Sequence, residues 1–324
     1  MKPTPYPFTL RQLQYALAVA ETRSFRRAAE RCHVSQPALS AQLAHLEAAL
    51  GTTLFERDRR RVLVTAAGAE LLERARQVLL ATDDLMEAAK SVKDPLSGSM
   101  RIGIIPTISP YLLPAIAPAL RAGHPRLTVE WLEDKTPVLT QQLAQGRIDA
   151  ALLALEADLG DVEHAAIAND PFVLAAPAGN PLARSARPAR PEELRDARVL
   201  LLDDGHCFRE QALQLCQDAG AEELGFRATS LGTLAQMVAS GAGVTLLPRL
   251  AVPTEAKRGA LVLRPFAKPA PHRTLALVWR PTSPFAAALR TLAGTMREAY
   301  EALEPKLEAA LAAASPRTRR STAG

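Results

Sequence analysis

In the stretch Ser24-Phe25-Arg26-Arg27-Ala28-Ala29-Glu30-Arg31-Cys32-His33-Val34-Ser35-Gln36-Pro37-Ala38-Leu39-Ser40, two short helices meet across a tight link. Ser24 is a good cap for a helix from Phe25 to Cys32, and Ser35 for the next one. Pro37 falls in the first turn of that second helix, where its missing N–H costs little. Ala38, Leu39, Leu43, Leu46 and Leu50 give it a buried stripe. Upstream, Leu10, Leu13, Ala16 and Ala20 space out a further helix. The arrangement reads as a helix-turn-helix, whose second helix would lie in a DNA major groove, with Gln36 and Ser40 able to bond base edges or phosphates. After Gly51, residues 54–64 read as a two-stranded wing carrying Arg57, Arg59, Arg60 and Arg61.

Charge points to the same partner. Residues 1–66 hold ten basic and five acidic side chains, which is the whole of the net charge of +5. A local basic face is the footprint of a polyanion, although charge alone fits a solvated surface equally well. From Ala66, capped by Thr65, a helix runs to about Val92. Leu71, Ala75, Val78, Thr82, Leu85, Ala89 and Val92 alternate steps of four and three along it, a two-helix coiled-coil seam. Lys93 to Ser99 then breaks the helix.

At 324 residues the chain is expected to divide into two or three domains. Its apolar fraction of 48% fits a globular class. No run approaches the ~18 apolar residues of a membrane span, and no signal-peptide apolar region follows Met1, so a cytoplasmic location is expected. From Met100, strand-like runs (100–105, 127–132, 150–155, 172–176, 198–202, 244–247) alternate with helices, which predicts mostly parallel sheets in two similar halves around a cleft. The run Ser240-Gly241-Ala242-Gly243-Val244 reads as a tight turn into a strand rather than a nucleotide loop. The Ala-rich, basic tail beyond Glu304 reads as flexible.

Two of the three cysteines, Cys207 and Cys216, stand nine residues apart in a helical pattern. Nine helical residues rise about 13 Å, whereas a disulfide needs its Cα atoms roughly 4.4–6.8 Å apart. If these thiols bond, the helix between them must come apart. Cys207 at the helix start, beside His206 and with Arg209 two residues on, has the surroundings that favour a thiolate. Cys32 reads as a small core residue. On the residues alone, Thr107 and Thr136 also fit as caps or turn residues, Arg273 as the partner of a surface carboxylate, and Cys216 as part of a helix stripe.

The run from Leu13 to Ala29, with Val34 to Ser40, Leu46-Glu47, Leu50-Gly51, Leu54 to Arg57, Leu63, Thr65 and Gly68, resembles the LysR-type transcriptional regulators. The resemblance implies a multidomain chain. An α winged helix-turn-helix (1–66) and a coiled-coil dimerisation helix (67–92) lead through a hinge (93–99) to an α/β periplasmic-binding-protein-like effector domain of two subdomains (100–303), then a flexible tail (304–324). The chain would cross back near 268–280, and a helix from Phe285 to Leu303 would complete the first half. Gln36, Pro37 and Ser40 would approach DNA bases and Arg57 the backbone, with Ser35 also among the DNA-binding residues.

Asp204 to Gln211, Cys216, Ala219 to Ala221, Phe226 to Leu231, Ile105 to Thr107, Pro110 to Pro114 and Arg273 to Leu275 are similar to the peroxide-sensing members of that family. That likeness implies Cys207 as the peroxidatic thiol and Cys216 as the resolving one, with Thr107, Thr136, His206 and Arg273 shaping a hydrogen peroxide pocket. Asp134-Lys135-Thr136-Pro137 departs from the pattern. The expected protein is a dimeric or tetrameric activator and no enzyme, without metal or cofactor. Its partners would be DNA, hydrogen peroxide, RNA polymerase and a thiol reductant. An ordinary regulator with a small effector in the cleft, or a thiol peroxidase on a DNA anchor, are the rival readings.

Overall fold

The structure, a computed structural model, describes residues 6–57, 62–91, 96–257 and 261–316. It divides into two units, Met1–Lys90 and Ser91–Gly324.

In the first unit, helices α1 (Leu10–Thr22), α2 (Phe25–Arg31) and α3 (Gln36–Leu50) are followed by strands β1 (Phe55–Arg57) and β2 (Val62–Val64) and by helix α4 (Ala66–Ser91). Ser24 Oγ accepts the amide of Arg27, and Ser35 Oγ that of Ala38, so both expected caps are made. Between α2 and α3 the chain turns through His33 in the left-handed region, φ 54°. Leu39, Leu43 and Leu46 seat α3 on the core formed with Leu13, Ala16, Val19 and Ala28. The Glu47 carboxylate accepts the amides of Leu54 (2.7 Å) and Phe55 (3.2 Å) and so fixes the start of the wing. Gly68 has no room for a side chain, because a Cβ there would stand 2.4 Å from the Leu54 carbonyl oxygen.

The seam on α4 is split. Leu71 is half-buried and Ala75 buried against the unit's own core, while Val78 is 45% and Leu85 69% exposed. The early turns of the helix are thus used by its own module, and the uncovered apolar positions begin at Val78. The side chain of Ala89, and Val92 altogether, lie outside the described residues.

The second unit begins with β3 (Gly98–Ile104), which starts inside the segment expected to be a hinge. Then come α5 (Ser109–Gly123), β4 (Leu127–Glu133), α6 (Thr136–Ala144), β5 (Ala150–Ala154) and the long β6 (Glu163–Pro177). After them follow β7 (Arg198–Leu202), α7 (Cys207–Ala219), β8 (Glu222–Ala228), α8 (Leu231–Ala239), β9 (Thr245–Pro248) and α9 (Val252–Glu255). The chain ends with β10 (Leu261–Pro265), β11 (His272–Trp279), α10 (Ala286–Glu301) and α11 (Glu304–Ala314).

Strands β4, β3 and β5 are parallel, as are β7 and β8. Around β6 the pairing is antiparallel throughout, to β11 along its first half and to β9 and β10 along its second. The expectation of mostly parallel sheets therefore holds only at the outer strands. The alternation of strand and helix carries no mark of where the chain crosses back, and a returning strand runs against its neighbours.

Strands β6 and β11 pass between two separate apolar cores. One is built on β3, β5, α5 and α10, the other on β7, α7, α8 and β9. At the turn before β9, Gly241 adopts φ 94°, and a Cβ on Gly243 would meet the Arg198 carbonyl oxygen at 2.5 Å. The Gly-x-Gly is a turn into a strand, as its setting suggested.

The tail is not loose through Ala314. In α11, Leu307 is buried in the first core, while Ala310, Leu311 and Ala314 pack on the second. Arg249 Nη2 grips both Glu304 oxygens at 2.6 and 2.7 Å. The alanines that suggested disorder are strong helix formers, and the leucines at 307 and 311 share one face. Residues 317–324, with the terminal arginines, lie outside the described residues. Truncating a buried leucine costs about 2–5 kcal/mol. Leu307→Ala should fall at the lower end, about 2–3 kcal/mol, because α11 is terminal and can readjust. Urea unfolding of the full chain will show it as a lower midpoint at unchanged slope.

Candidate redox site and DNA-reading helix

Cys207 and Cys216 both lie on α7, near its opposite ends, and both are free thiols. The helix forms because Gly205 (φ 85°) turns the chain into it and Gly220 (φ 75°) closes it, with the Gly220 amide returned to Cys216 O. Cys207 is 5% exposed and belongs to the first core, whereas Cys216 is 3% exposed and belongs to the second. The boundary between the cores passes through the first peptide of α7. Phe208, the next residue, packs edge-on against Phe172 in the second core, with ring centroids 5.0 Å apart.

Arg273 on β11 stands directly opposite Asp170 on β6 in the sheet register. Both are wholly buried. Arg273 donates from Nε (3.0 Å) and Nη2 (2.9 Å) to Asp170 Oδ2, and from Nη1 to Thr107 Oγ1 (2.7 Å). Its Nη2 also reaches the Thr107 carbonyl oxygen at 3.0 Å, and its guanidinium lies 5.6 Å from the Phe208 ring centre. The other Asp170 oxygen accepts the Leu250 amide at 2.9 Å. One cation therefore ties together β6, β11, the β3–α5 turn and the start of α7.

Burial pushes the Cys207 thiol above its ordinary range. Arg273, the Thr136 hydroxyl and the Phe208 amide pull the other way, in that order of strength. The cation acting on the sulfur is thus Arg273, not Arg209 or His206 as the sequence suggested. Arg209 turns away to Asp204 (2.9 Å), Glu223 (2.9 Å) and the Leu202 carbonyl oxygen (3.2 Å). His206 is buried, and both that burial and nearby Lys135 hold its pKa down, in the direction of the neutral ring. Cys216 is pushed up to about 12, mainly by burial and further by Glu223. At Cys207, burial is opposed by a buried cation and two hydrogen-bond donors, whereas at Cys216 nothing among the described residues opposes it.

Of the four residues expected around a pocket, Arg273 and Thr136 act on the Cys207 sulfur. Thr107 is occupied by Arg273. Thr136 Oγ1 and His206 Nε2 are buried without a hydrogen-bond partner of good geometry among the described residues. Such orphans are uncommon and mark where a small polar guest would be welcome. Asp170 and Phe208 belong to the site and were missed, the first because it is 103 residues from Arg273 and only strand register brings them together.

In the first unit, Ser35, Gln36, Pro37 and Ala38 are exposed at the start of α3, while Leu39 is buried and Ser40 half-buried. Ser35 is the cap itself, so its hydroxyl is shared with the Ala38 amide. Arg57 ends β1, with its side chain outside the described residues. The helix presents a short polar edge of groove-reading type. Among the described residues no helix is long and apolar enough to cross a membrane.

Comparison with known proteins adds a family to this geometry. Residues 10–69 match the bacterial regulatory helix-turn-helix protein, lysR family, and residues 93–301 the LysR substrate binding domain. A Pectobacterium carotovorum protein named hydrogen peroxide-inducible genes activator is 46% identical over 290 residues, 89% of this chain and 96% of that protein. The DNA-binding transcriptional dual regulator OxyR of Escherichia coli K12 is 45% identical over 290 residues, 89% and 94% of the two chains. The solved structure of a full-length OxyR variant from Pseudomonas aeruginosa aligns with a TM-score of 0.72 at 37% identity, covering 90% of this chain and 95% of that one. The chain belongs to the LysR-type transcriptional regulators and, within them, to the OxyR group.

Arg273→Gln would leave Asp170 buried without its cation, and breaking a buried pair from one side costs about 3–5 kcal/mol. Burial already raises the Asp170 pKa in the fold, and the substitution raises it further. A carboxyl raised in the folded state destabilises once pH exceeds its unfolded value, so the deficit should shrink as pH falls towards about 4. Unfolding curves at about pH 7, far above that value, and at about pH 4.5, close to it, will show whether the gap narrows.

Proposed function

We propose that this protein is a DNA-binding transcriptional regulator that senses hydrogen peroxide through Cys207 and passes the signal by bonding Cys207 to Cys216. The observation that carries this reading is the placement of the two thiols on one helix but in different cores, with Arg273 and the Thr136 hydroxyl beside the first. The names of its relatives support the same trigger.

The chemistry proceeds in two steps. The Cys207 thiolate attacks one peroxide oxygen, the O–O bond breaks, and the departing hydroxide takes a proton and leaves as water. Sulfur loses two electrons to the peroxide and becomes a sulfenic acid. Arg273 and the Thr136 hydroxyl stabilise the thiolate. Cys216 then attacks the Cys207 sulfur, forming S–S as the S–O bond breaks and water departs. A thiol reductant reverses the bond, so one peroxide is consumed per switching event and the protein does not turn over as an enzyme.

The second step forces the structural signal. A disulfide between ends of an intact helix is out of reach, so α7 must unwind, drawing Phe208 out of the second core. In a dimer or tetramer joined through α4, such repacking alters the spacing of the paired α3 helices on DNA and their contact with RNA polymerase. The protein works beside the chromosome, where thiols are kept reduced.

Brief treatment of the reduced full-length protein with micromolar peroxide, followed by alkylation and peptide mass spectrometry, should yield a Cys207–Cys216 peptide. Cys216→Ser should stop at sulfenic acid on Cys207, and Cys207→Ser should not respond. Absence of the cross-linked peptide from the natural sequence would contradict the assignment.

A further inference from the structure

The turn that leads into Cys207 is clamped from the opposite subdomain by one lysine. Lys135 caps α6, immediately before Thr136, whose hydroxyl borders the Cys207 thiol. Its side chain crosses to residues 203–205. Nζ donates to Asp203 Oδ2 at 3.1 Å and to the Asp204 carbonyl oxygen at 2.7 Å. The lysine stem lies over Gly205, where an added Cβ would come within 3.2 Å of Lys135 Cδ. Asp204 is held besides by Arg209 and Arg227, but both of these belong to the same half as the turn itself. One helical turn on, Gln211 Nε2 reaches Glu156 at 3.2 Å and makes a second, neutral-to-charged tie across the halves.

We infer that Lys135 is a latch for the reduced state, a positioning residue that holds the 203–206 turn in place and so retards capture of the Cys207 sulfenic acid by Cys216. This rests on the peroxide reading above. In the step concerned, the Cys216 sulfur attacks the Cys207 sulfur, S–S forms, S–O breaks, and the hydroxyl leaves as water with the Cys216 proton. Cys207 cannot approach Cys216 unless the turn leading into α7 moves with it, and the two bonds of the Lys135 ammonium are to that turn. They exist in the dithiol form and are given up before the sulfurs meet. Peroxide attack precedes this movement and depends on Arg273 and Thr136 at the sulfur. Lys135 therefore acts on the second step and on the redox equilibrium, and leaves the first step nearly alone.

The test uses the full-length protein with Lys135→Met and Lys135→Arg. Sulfenic acid and disulfide are followed separately by rapid mixing with peroxide, trapping of the sulfenic acid with a cyclic dione, and mass spectrometry. The midpoint potential is read against a dithiothreitol couple. Lys135→Met should speed disulfide formation from the sulfenic acid at least threefold. It should lower the potential by about 14 mV, the equivalent of a threefold change in the two-electron equilibrium. Sulfenic acid formation should stay within twofold of the natural sequence, and Lys135→Arg, which keeps a cation at the turn, should restore both values. Unchanged resolution and potential in Lys135→Met, in a protein that still forms the disulfide, would overturn the latch and leave the peroxide assignment standing. If the natural sequence forms no Cys207–Cys216 bond, both fall together.

Discussion

A regular helix keeps Cys207 and Cys216 apart, and everything proposed for this protein depends on that separation. Each thiol is fixed in a different apolar core, so neither can move toward the other as a free side chain. Rotation about side-chain bonds covers a few ångströms, whereas the helix sets the thiols about 13 Å apart along its axis. The oxidised bond is therefore incompatible with the packing seen here. A chemical event at one sulfur becomes a rearrangement of the boundary between two subdomains, because that boundary runs through the first turn of α7.

The same boundary is held by electrostatics. Arg273 and Asp170 pair where β11 and β6 pass from one core to the other, and Arg273 also carries Thr107 and faces the Phe208 ring. The residue that biases Cys207 toward thiolate is thus also the residue that ties β6 to β11 at that boundary. Burial works against ionisation of the same thiol. Lys135 adds a partly exposed tie on the solvent side of the same turn. A deep pair sets the reactivity, and a shallow one governs how readily the turn lets go.

Much of this was legible in the sequence because it is local. The caps at Ser24 and Ser35, the buried stripe on α3, the glycine turn at 241–243 and the helical spacing of the cysteines depend on residues close in the chain. What escaped depends on distant partners. Nothing near Asp170 announces Arg273, and nothing near Arg209 shows that it turns toward Glu223 and not the thiol. The direction of β6, β9, β10 and β11 is likewise a property of crossover. Composition misleads after Glu304, since Ala-rich helix and Ala-rich coil look alike until Leu307 and Leu311 find cores to cover.

Hydrogen exchange across α7 tests the central claim most directly. Amides from Glu210 to Cys216, the ones that carry the helical hydrogen bonds between the thiols, should be protected in the reduced protein, lose protection once peroxide has joined the two cysteines, and regain it after thiol reduction. A protein that forms the Cys207–Cys216 bond while these amides stay as protected as before would contradict the account, because the helix would then have survived the bond it is held to prevent.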